Sequence, residues 1–405
     1  MKNQSKIVIV GAGPAGASLA IRLAKENFRV VLIEREKFPR HKLCGEFISP
    51  ECLAHFKQLG VLDEILKVGG MRVTETVFYA PDGKSVSIPS RWFSGDLKGA
   101  LSISRAEMDF RLMERAREVG VEVLEETSVF GVLFDTYEVC GVKVRFRDGK
   151  TFEISADLTI DATGRANILA KLVEKSKVQS SKSKGAEIQS PKSKIQNRLV
   201  GFKTHLRDVN LAEGLCEIYF FRGGYGGLVF VEDNRANHCF MIRADIVREF
   251  AGDADKIIEK VIFQNKRARN AMQNAKPMFD WLTVSVDGFG QKNLNPAKNL
   301  FTVGDAAAFI DPFTGSGMLM ALESAKILAD IILVNPLSSN KIAKSYEISH
   351  RQKFQKRLCV CRIMRRAAFV PHFASIAVAA LSLSKTAREI LARSTRQTFS
   401  INKNK

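Results

Sequence analysis

Gly11, Gly13 and Gly16 stand between an apolar run, IVIV at 7–10, and a stretch rich in alanine and leucine at helical spacing. In such a pattern the first glycine permits a tight turn, the second lets backbone approach an anion, and the third lets strand and helix pack closely. The helix start then offers unpaired N–H groups and the positive end of its dipole. Ala15 belongs to the same turn. Glu34 closes the next apolar run, RVVLIE, eighteen residues after Gly16. A carboxylate placed there accepts ribose hydroxyls. Spacing and acid together predict a dinucleotide site, and an acid at 34 argues against a 2′-phosphate. The rival reading, a glycine turn with no ligand, explains neither the spacing nor Glu34.

A second cluster follows at 39–47, PRHKLCGEF, with three basic residues, one cysteine, one glycine and one glutamate. A cysteine in a basic loop is neither an ordinary surface residue nor flanked like a buried one. Its chain leaves the adenosine end of the predicted site, so Arg35 and Arg40 can meet phosphate or ribose oxygens. Basic neighbours favour a thiolate at Cys44. The seven cysteines are otherwise scattered and no CxxC occurs. A disulfide framework or structural zinc is not expected, and no metal is assigned.

These groups need a large frame. The chain has 405 residues, 45% hydrophobic and 26% charged, a globular composition. Strand–helix–strand order at the N-terminus predicts one βαβ start. Residues 106–119 place Met108, Leu112 and Ala116 on one helical face, and 122–164 read as alternating antiparallel strands with a turn at Asp148–Gly149. Alternation returns from 199 to 287 and predicts a second sheet forming a substrate wall, where Tyr225, Phe230 and Trp281 are aromatic candidates for substrate contact. Packing in the sheet core is the competing role for each. Helices are expected over 315–333 and 341–366, the latter with Ile342, Tyr346, His350, Phe354, Leu358 and Cys361 on one face.

The net charge of +19 is unevenly placed. Residues 174–198 hold seven Lys/Arg and two Glu, and 341–405 hold fifteen Lys/Arg and two Glu. The rest of the chain is close to neutral, which argues against a nucleic-acid-binding body. The 174–198 stretch repeats Ser-Lys without apolar period and reads as a disordered surface loop. The basic C-terminal helices fit either peripheral membrane contact or a cap with a solvated basic face. Residues 367–384 are apolar but short and interrupted by Pro371 and His372, so no membrane span is expected. The N-terminus runs at once into a strand, unlike a secretory signal, and the expectation is a cytoplasmic setting, either free or peripheral to a membrane.

Taken in order, GAGPAGA…E at 11–34, PRHKLCG at 39–45, SRAEMD at 104–109, DATG at 161–164 and VGDAA…DPFTGSGM at 303–318 resemble FAD-dependent oxidoreductases of the geranylgeranyl reductase-like family, within the p-hydroxybenzoate hydroxylase fold superfamily. The resemblance implies an α/β fold with α+β elements. In it a Rossmann-like FAD-binding domain (1–75, 101–172, 291–335) is interleaved with an antiparallel-sheet substrate domain (76–100, 199–290). A basic insertion (173–198) and a C-terminal helical region (336–405) complete it. It implies that Asp305 binds the ribityl or pyrophosphate region and that Gly315, Gly317 and Met318 offer N–H groups to the flavin pyrimidine edge. It further implies that Arg105 contacts FAD from a helix start, that Val129 meets adenine through its backbone, and that Asp161 and Gly164 touch the AMP half. Cys44 and Gly45 are implied to lie beside the flavin, Cys44 as a cofactor contact and, in a second role, as a proton donor.

Departures from the family pattern are Ala308 in place of the glycine of GDAAG, Ser316 in the later turn, and GGYGGLVFVED at 223–233, which keeps only Tyr225 of the reductase motif. The tryptophan motif of flavin halogenases is absent. No second glycine fingerprint exists, so NADPH, NADH or ferredoxin is implied as a transient electron donor. Two activities stay open: reduction of a C=C bond in a hydrophobic small molecule, and NAD(P)H-dependent hydroxylation of an aromatic or polyketide-like substrate. A non-catalytic flavin-bearing protein is the third reading.

Overall fold

The computed structural model describes residues 5–93, 99–182, 198–335, 338–368 and 373–394. Strands Leu300–Thr302, Leu158–Asp161, Lys6–Val10, Arg29–Ile33 and Glu122–Leu124 lie side by side in that order, every pair parallel. Ile7 and Ile9 face the helices Pro14–Lys25, Arg105–Glu118 and Gly317–Val334, whereas Val8 and Val10 face a three-stranded antiparallel sheet of Thr127–Asp135, Glu138–Phe146 and Thr151–Ser155. With both faces covered, the strands must be near-continuous apolar runs. The antiparallel expectation for 122–164 therefore holds for its middle three strands. Glu122–Leu124 and Leu158–Asp161 instead join the parallel sheet, because their apolar residues are needed against the central strands.

Two glycines permit the close approach that this sheet requires. Gly11 has φ of +104°, and a Cβ there would lie 2.4 Å from the Ala162 carbonyl oxygen. A Cβ on Gly16 would lie 1.9 Å from the carbonyl oxygen of Gly11. The first helix can therefore begin directly above the strand end, with its N–H groups at the sheet's carboxyl edge.

A larger sheet stands beside this unit. Its order is Lys276–Pro277, Leu199–Arg207, Ala236–Arg243, Gly224–Phe230, Leu215–Phe221, Glu75–Tyr79 and Ser85–Pro89, with Leu282–Val286 also paired to Leu199–Arg207. One face is packed by helices Ala254–Lys260 and Lys266–Met272 through Ile257, Ala268 and Met272. The other face turns toward the parallel unit. Side chains alternate along each strand, so Tyr225, Gly227 and Val229 share one face and Leu228 and Phe230 the other.

The helix Ser339–Ala368 buries Ile342, Tyr346, His350, Phe354, Leu358 and Cys361, the stripe expected from their spacing. Lys353 and Arg357 grip Glu323 of the Gly317–Val334 helix at 2.8 and 3.1 Å. Helices Phe373–Leu383 and Lys385–Ser394 then pack onto strand Ser85–Pro89.

The start of the basic insertion is ordered, contrary to expectation: a helix spans Ile168–Lys182. Leu169 and Val173 anchor it in the core, and the Asp161 carboxylate accepts from the Leu169 and Ala170 N–H groups at its start, so the helix continues into the Ser-Lys sequence. The remainder of the insertion, 183–197, lies outside the described residues. Among the described residues, no helix is long and apolar enough to cross a membrane.

Gly16→Ala tests the strand–helix contact. Because the obstruction is backbone, the variant should lose about 3 kcal/mol of stability in urea unfolding and purify with far less bound flavin.

Candidate active site

A cavity of about 1220 Å3 runs from the carboxyl edge of the parallel sheet, along the 39–47 loop, to the free face of the large sheet. At its first end lie Gly11, Gly13 and Ala15, with Val129 on strand Thr127–Asp135 and Gly164 in the turn after strand Leu158–Asp161. Glu34 sits at the same edge. Its Oε2 accepts from the Ala12 N–H at 3.1 Å, and its Oε1 from the N–H groups of Arg35 and Glu36. The carboxylate is thereby fixed at a strand end and pointed along the cavity wall. Gly16 does not line the cavity; it serves the close packing beneath.

Three charged side chains stiffen the middle of this wall. Arg105, first in its helix, donates Nε and Nη2 to Asp109 at 2.9 and 2.7 Å, and Arg40 donates Nη1 to the same carboxylate at 2.8 Å. Burial pushes the Asp109 carboxyl up, but the two guanidinium groups outweigh it and hold it below the ordinary range. Burial also opposes the charge on Arg105, yet Asp109 and the Cys44 sulfur beside it hold the guanidinium above its usual value. Arg35 and Lys42 line the cavity nearby. Burial, then the Arg40 charge, push the Lys42 ammonium down.

The 39–47 loop is clamped by a residue that sequence reasoning passed over. Glu46 is fully buried with φ of +55°. Its carboxylate meets the Lys203 ammonium, bonds His205 Nε2 at 2.8 Å, and accepts from the Arg105 N–H at 2.8 Å. Lys203 also donates to the Lys42 carbonyl at 3.1 Å, and Asn237 Nδ2 donates to the Cys44 carbonyl at 3.2 Å. Burial pushes the Glu46 carboxyl up, but Lys203 and His205 prevail and it falls below the ordinary carboxylate range. Both ends of Cys44 are thus held. Its sulfur accepts from the Glu46 N–H at 3.3 Å and faces the Arg105 guanidinium. Two other thiols line the cavity, Cys216 and Cys239, and burial pushes each up to about 12. Cys44 has the Arg105 guanidinium beside it, and the Cys239 thiol stays high although Lys203 and Arg165 act against its burial.

Beyond Cys44 stand Asp305, Gly315, Gly317 and Met318. Gly315 adopts a left-handed turn, φ +58°, after which Gly317 opens an 18-residue helix whose N-terminus faces the cavity. Burial pushes the Asp305 carboxyl up against the pull of Arg165 and Lys292. Tyr225 Oη donates to Asp311 Oδ1 at 2.5 Å, while the other carboxyl oxygen is buried with no hydrogen-bond partner in the protein. Burial pushes Asp311 up, and burial together with Asp311 raises the Tyr225 phenol well above its ordinary value.

The far chamber is almost wholly apolar. Phe78, Val86, Ile88, Ile218, Phe220 and Met241 form its floor on the large sheet. Ala374, Ala377, Val378 and Leu381 of helix Phe373–Leu383 form the opposite wall, joined by Leu391 and Ala392.

Besides Gly16, the structure places three expected site residues elsewhere. The Asp161 carboxylate is consumed by Thr163, Leu169 and Ala170 as a helix cap, and does not line the cavity. Phe230 alternates to the far face of the sheet and packs in its core. Trp281 packs with His238 and Phe240 and donates to Asp255, away from the chamber. The residues sequence reasoning missed are Glu46, Lys203, Asp311 and Lys42. Two of them, Glu46 and Lys42, lie inside the loop already singled out.

The surroundings fit FAD. Cβ atoms on Gly45 or Gly164 would meet nothing within 4 Å, so bare backbone borders the cavity at both places. Arg40 carries a buried Nε with no hydrogen-bond partner in the protein. Donors, a carboxylate and two helix N-termini line the same cavity.

A family profile described as the FAD binding domain matches residues 4–359. Digeranylgeranylglycerophospholipid reductase 1 of Methanococcoides burtonii is 26% identical over 377 residues, covering 91% of this chain and 85% of its own. Flavin-dependent halogenase armH3 of Armillaria mellea is 25% identical over 346 residues, covering 80% and 66%. A flavoprotein/dehydrogenase structure from Cytophaga hutchinsonii superposes with a TM-score of 0.78 at 19% identity, over 96% of this chain and 92% of that one, which is a likeness of fold.

Lys203→Met tests the clamp. It leaves the buried Glu46 carboxylate short of its main counter-charge and should cost about 3 kcal/mol in urea unfolding at neutral pH. The folded protein holds Glu46 below its unfolded value, so this stabilisation is present above the ordinary carboxylate range and lost as pH falls through the lowered value. A Glu46→Gln variant should therefore be less stable at neutral pH and show a flatter acid limb.

Proposed function

The chain belongs to the FAD binding domain family and is an FAD-dependent oxidoreductase, and from that premise we propose that it reduces C=C bonds in a long hydrophobic molecule of isoprenoid-lipid character. The observation that carries the reading is the shape of the cavity. Charged and backbone groups suited to a dinucleotide occupy one end, an apolar chamber the other, and Cys44 lies between. The reductase name of the Methanococcoides burtonii relative supports the same substrate class.

In this reading Gly11, Gly13 and the first helix hold the pyrophosphate, with Glu34 on the ribose. Val129 and Gly164 border the adenine half, and Arg35, Arg40 and Arg105 balance negative charge along the chain between. The N–H groups from Gly315 to Met318, at the positive end of their helix, stabilise negative charge at the pyrimidine edge. FAD, when bound, supplies the hydride; the protein orients the substrate and excludes water.

Reduction of a C=C bond needs one hydride and one proton. We assign the proton to Cys44 Sγ, because it lines the cavity with its carbonyl held by Asn237 and its sulfur by the Glu46 N–H, beside the Arg105 guanidinium. The Tyr225 hydroxyl, anchored on Asp311, marks the polar limit of the apolar chamber and aligns the double bond. Dry walls keep solvent from competing for the hydride. A transient reduced donor, nicotinamide or ferredoxin, restores the cofactor.

The halogenase relative favours a second reading, in which reduced FAD and oxygen serve an oxygenation. Oxygen dependence separates the two. With FAD reduced in advance and oxygen strictly excluded, a digeranylgeranyl lipid in detergent micelles should be converted to a saturated product. Product formed only in air would overturn the reductase reading. Cys44→Ala should keep its FAD and lower kcat about 100-fold, the usual scale for losing a positioned proton donor.

A further inference from the structure

Helix Phe373–Leu383 is apolar on opposite faces. Ala374, Ala377, Val378 and Leu381 recur at helical spacing and line the chamber. On the reverse side Ile376 is 65% exposed and Leu383 is 88% exposed. A helix apolar all round is ordinarily surrounded by other apolar material. The neighbouring helix Lys385–Ser394 repeats the pattern: Ile390 is 57% exposed beside Leu391 and Ala392, which line the cavity. The chamber wall here is therefore one helix thick, with aliphatic side chains on its outer surface.

Charge selects what covers that surface. Arg362, Lys385 and Arg393 are exposed around it. Residues 341–405 carry fifteen Lys/Arg against two Glu. A second copy of the chain would bring the same positive charge to the contact and be repelled, whereas an anionic surface would be attracted. Among the described residues no helix is long and apolar enough to cross a bilayer, and a basic helix with aliphatic residues facing outward is of the kind that binds at a bilayer interface.

We propose that helix Phe373–Leu383, with Ile390 beside it, docks on an anionic lipid bilayer and places the wall of the apolar chamber at the membrane. Ile376 and Leu383 enter the acyl boundary while the flanking basic residues meet headgroup phosphates. A lipid substrate then passes from bilayer to chamber across a single helix. This last step rests on the reductase reading; the docking itself does not, and it is measured without substrate or turnover.

The test is flotation of the full-length holoprotein with phosphatidylcholine vesicles, with and without phosphatidylglycerol. Binding is expected with the anionic vesicles and should weaken as salt rises from 0.1 to 1 M, because the screening length falls from about 10 to about 3 Å. Ile376→Asp/Leu383→Asp should reduce binding about ten-fold or more with bound FAD unchanged. Arg362→Glu/Lys385→Glu should reduce it without altering any apolar residue, a check that does not depend on the first variant folding. Absence of binding to anionic vesicles, or binding unaffected by both variants, would overturn the proposal. So would a dimer in light scattering that the Ile376/Leu383 variant dissociates, since a second copy would then cover this face.

Discussion

The Glu46 carboxylate is the point on which the site turns. It is buried without access to water, and it is held by Lys203 and His205 of the large sheet and by the N–H of Arg105 from the parallel unit. A charge so placed is tolerated only where partners surround it, and removing any one leaves the others exposed to the cost of burial. Its backbone neighbours are consequently fixed. Lys42 and Cys44 receive hydrogen bonds from Lys203 and Asn237, and the loop spans the two sheets in one conformation. A second network, Arg40–Asp109–Arg105, adjoins it and keeps a guanidinium against the Cys44 sulfur. The position of the thiol is thus a consequence of electrostatics on both sides of the loop.

Different parts of this arrangement were legible in the chain to different degrees. The IVIV run and the glycine spacing declare a buried parallel strand and a tight entry to a helix, because both are local demands on neighbouring residues. The stripe from Ile342 to Cys361 was readable for the same reason: helical period repeats within one element. Glu46 and Lys203 were not, since their pairing joins positions 157 residues apart and depends on how two sheets meet. Parity explains the aromatic residues. Alternation separates Tyr225 from Phe230 on paper, but nothing local says which face is walled by Ile257 and Met272 and which is open. The family resemblance of DATG implies Asp161 as a contact to the AMP half; the helix from Ile168 takes its carboxylate instead.

The far chamber shows how sequence composition becomes specificity. Small residues on helix Phe373–Leu383 leave room that bulkier ones would fill, while the floor is lined with aliphatic and aromatic side chains. Few polar groups reach it, and the Tyr225 hydroxyl is tied to Asp311. A polar substrate would lose its hydration there with little return. An apolar chain loses nothing of that kind.

The proposed function is reduction of a carbon–carbon double bond held in this chamber, for which FAD, held at the other end of the cavity, would supply the electrons directly. Flavin absorbance after rapid anaerobic mixing of the fully reduced holoprotein with a polyunsaturated isoprenoid lipid tests it most directly. The account predicts reoxidation without oxygen, with one flavin oxidised for each double bond saturated. A flavin that stays reduced until oxygen is admitted would contradict it.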